Sequence, residues 1–114
     1  MKIFRKSDNM FAGAIIGVTG DYAGAIFRID PDEEITIGRD PKTSQIVIDE
    51  CCDLVSRKHC TIKGNAHSAY YTVTDFSTNG TFVNDEKLPR GVTVSVARGS
   101  TIYIGNKDNS FRLN

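Results

Sequence analysis

Nearly every apolar run in this 114-residue chain is short and rich in β-branched or aromatic side chains, and ten glycines and three prolines punctuate the runs. No window of about eleven residues or more carries an apolar stripe of helical period. The chain is therefore predicted to be all-β. A lone sheet would leave an apolar face and two edges exposed, so a two-sheet β-sandwich of mostly antiparallel strands is favoured. The length suits one domain with a real core and is too short for two.

The elements follow in order. Residues 1–12, MKIFRKSDNMFA, are polar and basic with scattered apolar side chains and are expected to form a tail or linker, the domain occupying residues 13–114. Runs at 14–19 and 25–29 flank Gly20-Asp21-Tyr22-Ala23-Gly24 and form a hairpin. Asp30-Pro31-Asp32-Glu33 is a second turn, after which 34–37 alternates polar and apolar and ends at Gly38-Arg39. Further strands are expected at 46–48, 58–63, 69–75, 81–83, 92–96, 101–104 and 110–113. As structure alone, Asn79-Gly80 reads as an ordinary hairpin turn. Core packing accounts for most of Tyr70, Tyr71, Phe76 and Phe82, and His67 reads as a solvated turn residue.

Composition narrows the partners. Lys+Arg and Asp+Glu both number 14, so the formal charge is zero. Without a basic stripe or a long like-charge block, nucleic acid and anionic membranes are poor partners, and any anion site must be local. Cys51, Cys52 and Cys60 are odd in number and two are adjacent, a poor disulfide framework that fits a reducing, cytoplasmic setting. Cys60 is in phase with Ile62 and reads as a buried small hydrophobe, while Cys51 and Cys52 are expected on an exposed loop. No run approaches the ~20 apolar residues of a membrane helix, and the first eleven residues lack a signal-peptide pattern, so no membrane insertion is expected.

Three short polar motifs stand at the ends of the runs: Gly38-Arg39, Ser56-Arg57-Lys58-His59 and Ser77-Thr78-Asn79-Gly80-Thr81. An arginine supplies a permanent charge and a fork of donors matched to phosphate oxygens, hydroxyls add neutral donors, and a carboxamide can grip a peptide backbone. This is chemistry for binding rather than turnover. Singly, each motif also has a plain reading as a turn or a polar strand start. In order and spacing together they resemble the forkhead-associated (FHA) domain family, whose pattern is Gly-Arg, then Ser-x-x-His, then Asn-Gly. The match runs from about Ile35 to Asn84, and the flanking strands fit from Gly13 to the C-terminus.

The resemblance implies an eleven-stranded FHA/SMAD-like sandwich, with no cofactor or metal, that binds phosphothreonine peptides through loops at one end. Carried over by position, Arg39 would meet the phosphate and the peptide backbone, Ser56 would hydrogen-bond a phosphate oxygen, and Arg57 would add a further contact. Thr78 would donate from the opposite loop, Asn79 would bond the peptide main chain, and Asn84 would support a second backbone contact. Gly38 and Gly80 would permit the turns, and His59 would brace the loops without touching the ligand. Asp53 and Leu54 are the expected readers of residues after the phosphothreonine.

The implied role is a non-catalytic adaptor that docks its parent protein onto substrates of a Ser/Thr kinase. The alternative is a phospho-independent interaction domain of the same fold. Catalysis by Ser56 and His59 lacks an acid partner and an oxyanion site. Zinc binding by Cys51, Cys52, His59 and Cys60 lacks the C-x₂-C spacing that wraps one ion.

Overall fold

The computed structural model describes residues 13–65 and 69–114. The tail expected at 1–12 and the solvated His67 lie outside these. Eleven strands follow one another: β1 (Gly13–Thr19), β2 (Ile26–Ile29), β3 (Glu34–Gly38), β4 (Ile46–Val47), β5 (Cys60–Lys63), β6 (Tyr70–Asp75), β7 (Thr81–Val83), β8 (Glu86–Lys87), β9 (Thr93–Ala97), β10 (Ser100–Ile104) and β11 (Asn106–Leu113). They form a six-stranded sheet in the order β2-β1-β11-β10-β7-β8 and a five-stranded sheet in the order β4-β3-β5-β6-β9. Every ladder is antiparallel except β3 with β4. Among the described residues no helix is long and apolar enough to cross a membrane.

The period-2 pattern explains the layering. Alternate residues of β1, β10 and β11 turn Ile15, Ile102, Ile104, Phe111 and Leu113 inward, where they meet Ile35, Ile37, Cys60, Ile62, Tyr71 and Val73 of the other sheet; all are buried. Each fully buried aliphatic or aromatic side chain contributes roughly 1.5–3 kcal/mol before its ordering entropy is subtracted. The two sheets are also tied by a polar link. Tyr71 of β6 donates its hydroxyl to the Asn114 carbonyl at 2.7 Å and accepts from the Ala14 amide at 3.2 Å. Ala14 and Asn114 in turn exchange both backbone hydrogen bonds.

Several expectations need correction. The stretch 76–80 is not a hairpin, because β6 and β7 belong to different sheets and the loop crosses between them. β11 begins at Asn106 rather than 110, and β8 had no counterpart among the expected strands. Tyr71 alone of the four rings is fully buried: Tyr70, on the opposite face of the same strand, is 50% exposed, and Phe76 is 37% exposed beneath the Lys58 ammonium, 4.3 Å from the ring centroid. Cys52 is half-buried against the core, its sulfur 3.7 Å from Asn109 Nδ2, whereas Cys51 is exposed. Asp49, hydrogen-bonded to Cys51, pushes that thiol's pKa up, and burial pushes the Cys60 thiol up to about 12.

Removing the Tyr71 hydroxyl leaves the Ala14 amide and the Asn114 carbonyl without that link between the sheets. Tyr71→Phe is expected to cost about 1–3 kcal/mol, read as a lower urea midpoint at unchanged slope. An unchanged midpoint would show that the link adds nothing.

Candidate functional site

β3 runs out at Gly38 because two backbones touch there. A Cβ on Gly38 would lie 1.9 Å from the Arg57 carbonyl oxygen, a distance no side chain tolerates. The contact carries the pairing past the strand ends: the Arg39 amide donates to Ser56 O at 3.1 Å and the Asp40 amide to Arg57 O at 3.2 Å. Arg39 is thereby laid against the β4–β5 loop, where its Nε donates to Val55 O and its Nη1 to Glu50 O at 3.4 Å. Arg39 and Arg57 line one cleft together with Asp40, Pro41 and Glu50. No described acidic side chain forms an ion pair with either arginine.

His59 connects that loop to the next one. The ring is fully buried; its Nδ1 accepts the Ser56 amide at 3.0 Å, which leaves Nε2 to carry the proton and donate to Gly80 O at 2.8 Å. Burial lowers the His59 pKa from its ordinary 6.5, although the Gly80 carbonyl and the Asp75 carboxylate work the other way. The imidazole is held neutral in a single tautomer. Both ring nitrogens are spent on backbone, so neither faces the Ser56 hydroxyl as a base.

The β6–β7 loop is built on a buried carboxylate. Asp75 Oδ1 accepts the Ser77 amide at 3.1 Å, the Ser77 hydroxyl at 2.6 Å and the Thr81 hydroxyl at 2.8 Å, and Ser77 Oγ accepts the Gly80 amide at 2.7 Å. These four links close the loop on itself and leave Thr78 and Asn79 exposed at its tip. The tip meets the β4–β5 loop directly. The Thr78 amide donates to Ser56 Oγ at 3.0 Å, and Asn79 Nδ2 donates to Leu54 O at 3.2 Å.

The β10–β11 loop supplies a third element through Gly105. Its amide donates to Gly80 O at 3.0 Å, and its open Cα, at φ +78°, faces the Leu54 carbonyl oxygen 2.6 Å from where a Cβ would stand.

Gly38, Arg39, Leu54, Ser56, Arg57, His59, Thr78, Asn79 and Gly80 are thus joined through direct contacts at one end of the sandwich. Asp53 is exposed on the same loop. Asn84 stands apart. Its carboxamide accepts from the Thr101 amide at 3.1 Å and donates to Ser100 Oγ at 3.3 Å, serving the β7–β8 turn against β10. Ser77 and Thr81 stand in the motif but had no expected role, and Asp75 and Gly105 were missed. The signal for Gly105 was an Ile-Gly pair closing a strand, as at Gly38.

The model of the FHA domain family matches residues 35–105, which spans all three motifs and Gly105. The chain belongs to the FHA domain family. Such a domain is a binding module. Over 101 residues, 82% of this chain, it is 36% identical to the probable serine/threonine-protein kinase fhkA of Dictyostelium discoideum, of which the match covers 16%. The chain therefore spans about one sixth of that relative's length. Among solved structures, the FHA domain of the CT664 protein from Chlamydia trachomatis shares the fold with a TM-score of 0.78 at 21% identity, over 90% of this chain and 96% of that one. A structure described as an analysis of phosphothreonine-dependent FHA domain interactions has a TM-score of 0.71 at 22% identity, over 91% and 96% of the two chains.

Protonating His59 would place an Nδ1–H against the Ser56 N–H. Because the folded pKa is lowered, the unfolded chain binds more protons just below pH 6.5, and stability falls as pH drops through that value. The urea midpoint is expected to decline between about pH 7.5 and 5.5, and His59→Gln to flatten that decline. An equally steep decline in the variant would assign it to other groups.

A side chain at Gly105 must displace Leu54 and adopt a left-handed backbone. Gly105→Ala is expected to cost about 1–3 kcal/mol in urea unfolding, and a midpoint within error of wild type would remove Gly105 from the site's support.

Proposed function

We infer that this FHA domain is a phosphothreonine-peptide adaptor, and that it docks a larger parent protein onto substrates of a Ser/Thr kinase. One observation carries the reading. At the point where three loops meet, Arg39, Arg57, Ser56, Thr78 and Asn79 present donors at the surface, while the polar groups behind them are satisfied by one another. The Arg57 guanidinium and the Thr78 hydroxyl have no hydrogen-bond partner among the described residues. The phosphothreonine-dependent interactions named for a structural neighbour, and the kinase that contains a matching segment, support the same reading.

In this assignment Arg39 meets the phosphate and the peptide backbone, Ser56 and Thr78 donate hydroxyls to phosphate oxygens, and Arg57 adds a second cation. Asn79 exchanges its bond to Leu54 O for the peptide main chain. Asp53 and Leu54, at the rim, read residues beyond the phosphothreonine; Leu54, 43% exposed, favours an apolar or small residue over an acidic one. The second peptide-backbone contact expected of Asn84 is not part of this assignment, because its carboxamide is bonded to Ser100 and Thr101.

Magnitudes set the scale. A phosphothreonine carries about −1.5 to −2 charge and three acceptor oxygens. Three charge-assisted hydrogen bonds at about 1.5–3 kcal/mol each give ~5–9 kcal/mol, from which ordering costs are deducted. Micromolar affinity, ~8 kcal/mol, then requires help from neighbouring peptide residues. A threonine methyl in an apolar niche adds roughly 1–3 kcal/mol, a preference over phosphoserine of about 10- to 200-fold at most.

Calorimetry with a degenerate phosphothreonine library, followed by one selected peptide in phosphorylated and plain forms, tests the reading. Only the phosphorylated form is expected to bind, and Arg39→Ala is expected to lose at least about tenfold in affinity. Equal affinity for both forms would instead favour phospho-independent recognition by the same fold.

A further inference from the structure

Asn79 is the single asparagine of the chain that precedes a glycine. With no side chain on Gly80 to shield it, the Gly80 nitrogen can reach the Asn79 carboxamide carbon in a flexible chain. The chemistry needs only water. The Gly80 amide gives its proton to solvent and its nitrogen bonds to Asn79 Cγ; Nδ2 takes a proton and leaves as ammonia. Water then opens the five-membered imide at either carbonyl, giving aspartate or isoaspartate.

In the fold both reacting groups are tied. The Gly80 N–H donates to Ser77 Oγ at 2.7 Å, and the Ser77 hydroxyl is fixed by Asp75 Oδ1 at 2.6 Å; Ser77 and Asp75 are 2% and 1% exposed. The departing nitrogen, Asn79 Nδ2, donates to Leu54 O at 3.2 Å. Cyclisation must break both bonds while the rest of the loop stays pinned by His59 and Gly105 through Gly80 O. Asn79 itself is exposed, so water is at hand once they break.

We propose that Asn79 is a latent deamidation site, held unreacted by the Ser77 and Leu54 hydrogen bonds, and that its conversion places a carboxylate among the ligand-facing donors. Only the consequence for phosphopeptide binding rests on the function assigned above; the reaction and its restraint do not. In the isoaspartate form the loop also gains one backbone carbon, which misplaces Thr78 against Ser56.

The test follows peptide-resolved mass change and isoaspartate content on incubation in mildly alkaline buffer. The folded chain, the same chain in urea and Ser77→Ala are compared. Conversion at Asn79 is expected to be at least about tenfold faster in urea than in the folded chain, and about five- to tenfold faster in folded Ser77→Ala than in folded wild type. Equal rates in the folded chain and in urea would overturn the proposal whether or not the variant folds. So would conversion at Asn84 or Asn109 that keeps pace with Asn79 in urea. Asn79→Asp, checked for an unchanged urea midpoint, is expected to lose at least about tenfold in phosphopeptide affinity. A variant that binds as wild type removes the functional consequence and leaves the rates to stand by themselves.

Discussion

The neutral imidazole of His59 is the joint on which the convergent loops depend. It lies wholly inside the protein, yet both of its nitrogens face backbone groups of loops that are far apart in the chain: the Ser56 amide on one side and the Gly80 carbonyl on the other. A buried polar ring left unpaired would cost several kcal/mol, so the two loops are constrained to the positions that satisfy it. No aliphatic side chain of the same volume could do this, because packing alone does not distinguish an amide from a carbonyl. The donor of one loop and the acceptor of the other are fixed by one proton on one nitrogen.

Around this joint the loops meet by backbone approach rather than by side-chain bulk. Gly38 against Arg57 and Gly105 against Leu54 are contacts that any Cβ would prevent. They bring the main chains close enough for Gly80 O to accept from both His59 and Gly105. The result is a stiff platform from which side chains with polar ends project. Arg39 and Asn79 are held by carbonyls of the β4–β5 loop, so under the proposed function these groups are ordered before a ligand arrives, and binding would exchange hydrogen bonds instead of creating order.

The strands that could be read from the sequence are those with one face in the core. β1, β6 and β10 alternate because burial imposes a period of two, whereas β3 alternates polar and apolar residues although Thr36 is buried as well. β8 and the first half of β11 could not be read: Glu86-Lys87, held by pairing with β7, and Asn106 to Asn109, where the register with β10 shifts, carry no apolar signature. Asn79-Gly80 announced a turn, but whether its flanking strands pair with each other is decided by partners remote in sequence, and here they part into different sheets. The site divides along the same line. That Arg39, Ser56, His59 and Asn79 come together was legible through their order and spacing and the family resemblance these carry. Gly105 and the Asp75–Ser77–Thr81 network were not, since their meaning lies in what they touch across the fold.

β10 runs from Ser100, paired with Leu113 beside the Ala14–Asn114 closure, to Ile104, next to Gly105 at the end where the loops converge. Its five residues, at roughly 3.3 Å each, put about 15 Å between the two. The start of β1 and the end of β11 therefore lie side by side, at the pole remote from the convergent loops. A sandwich laid out this way keeps the closure of its first and last strands clear of the end where the loops converge.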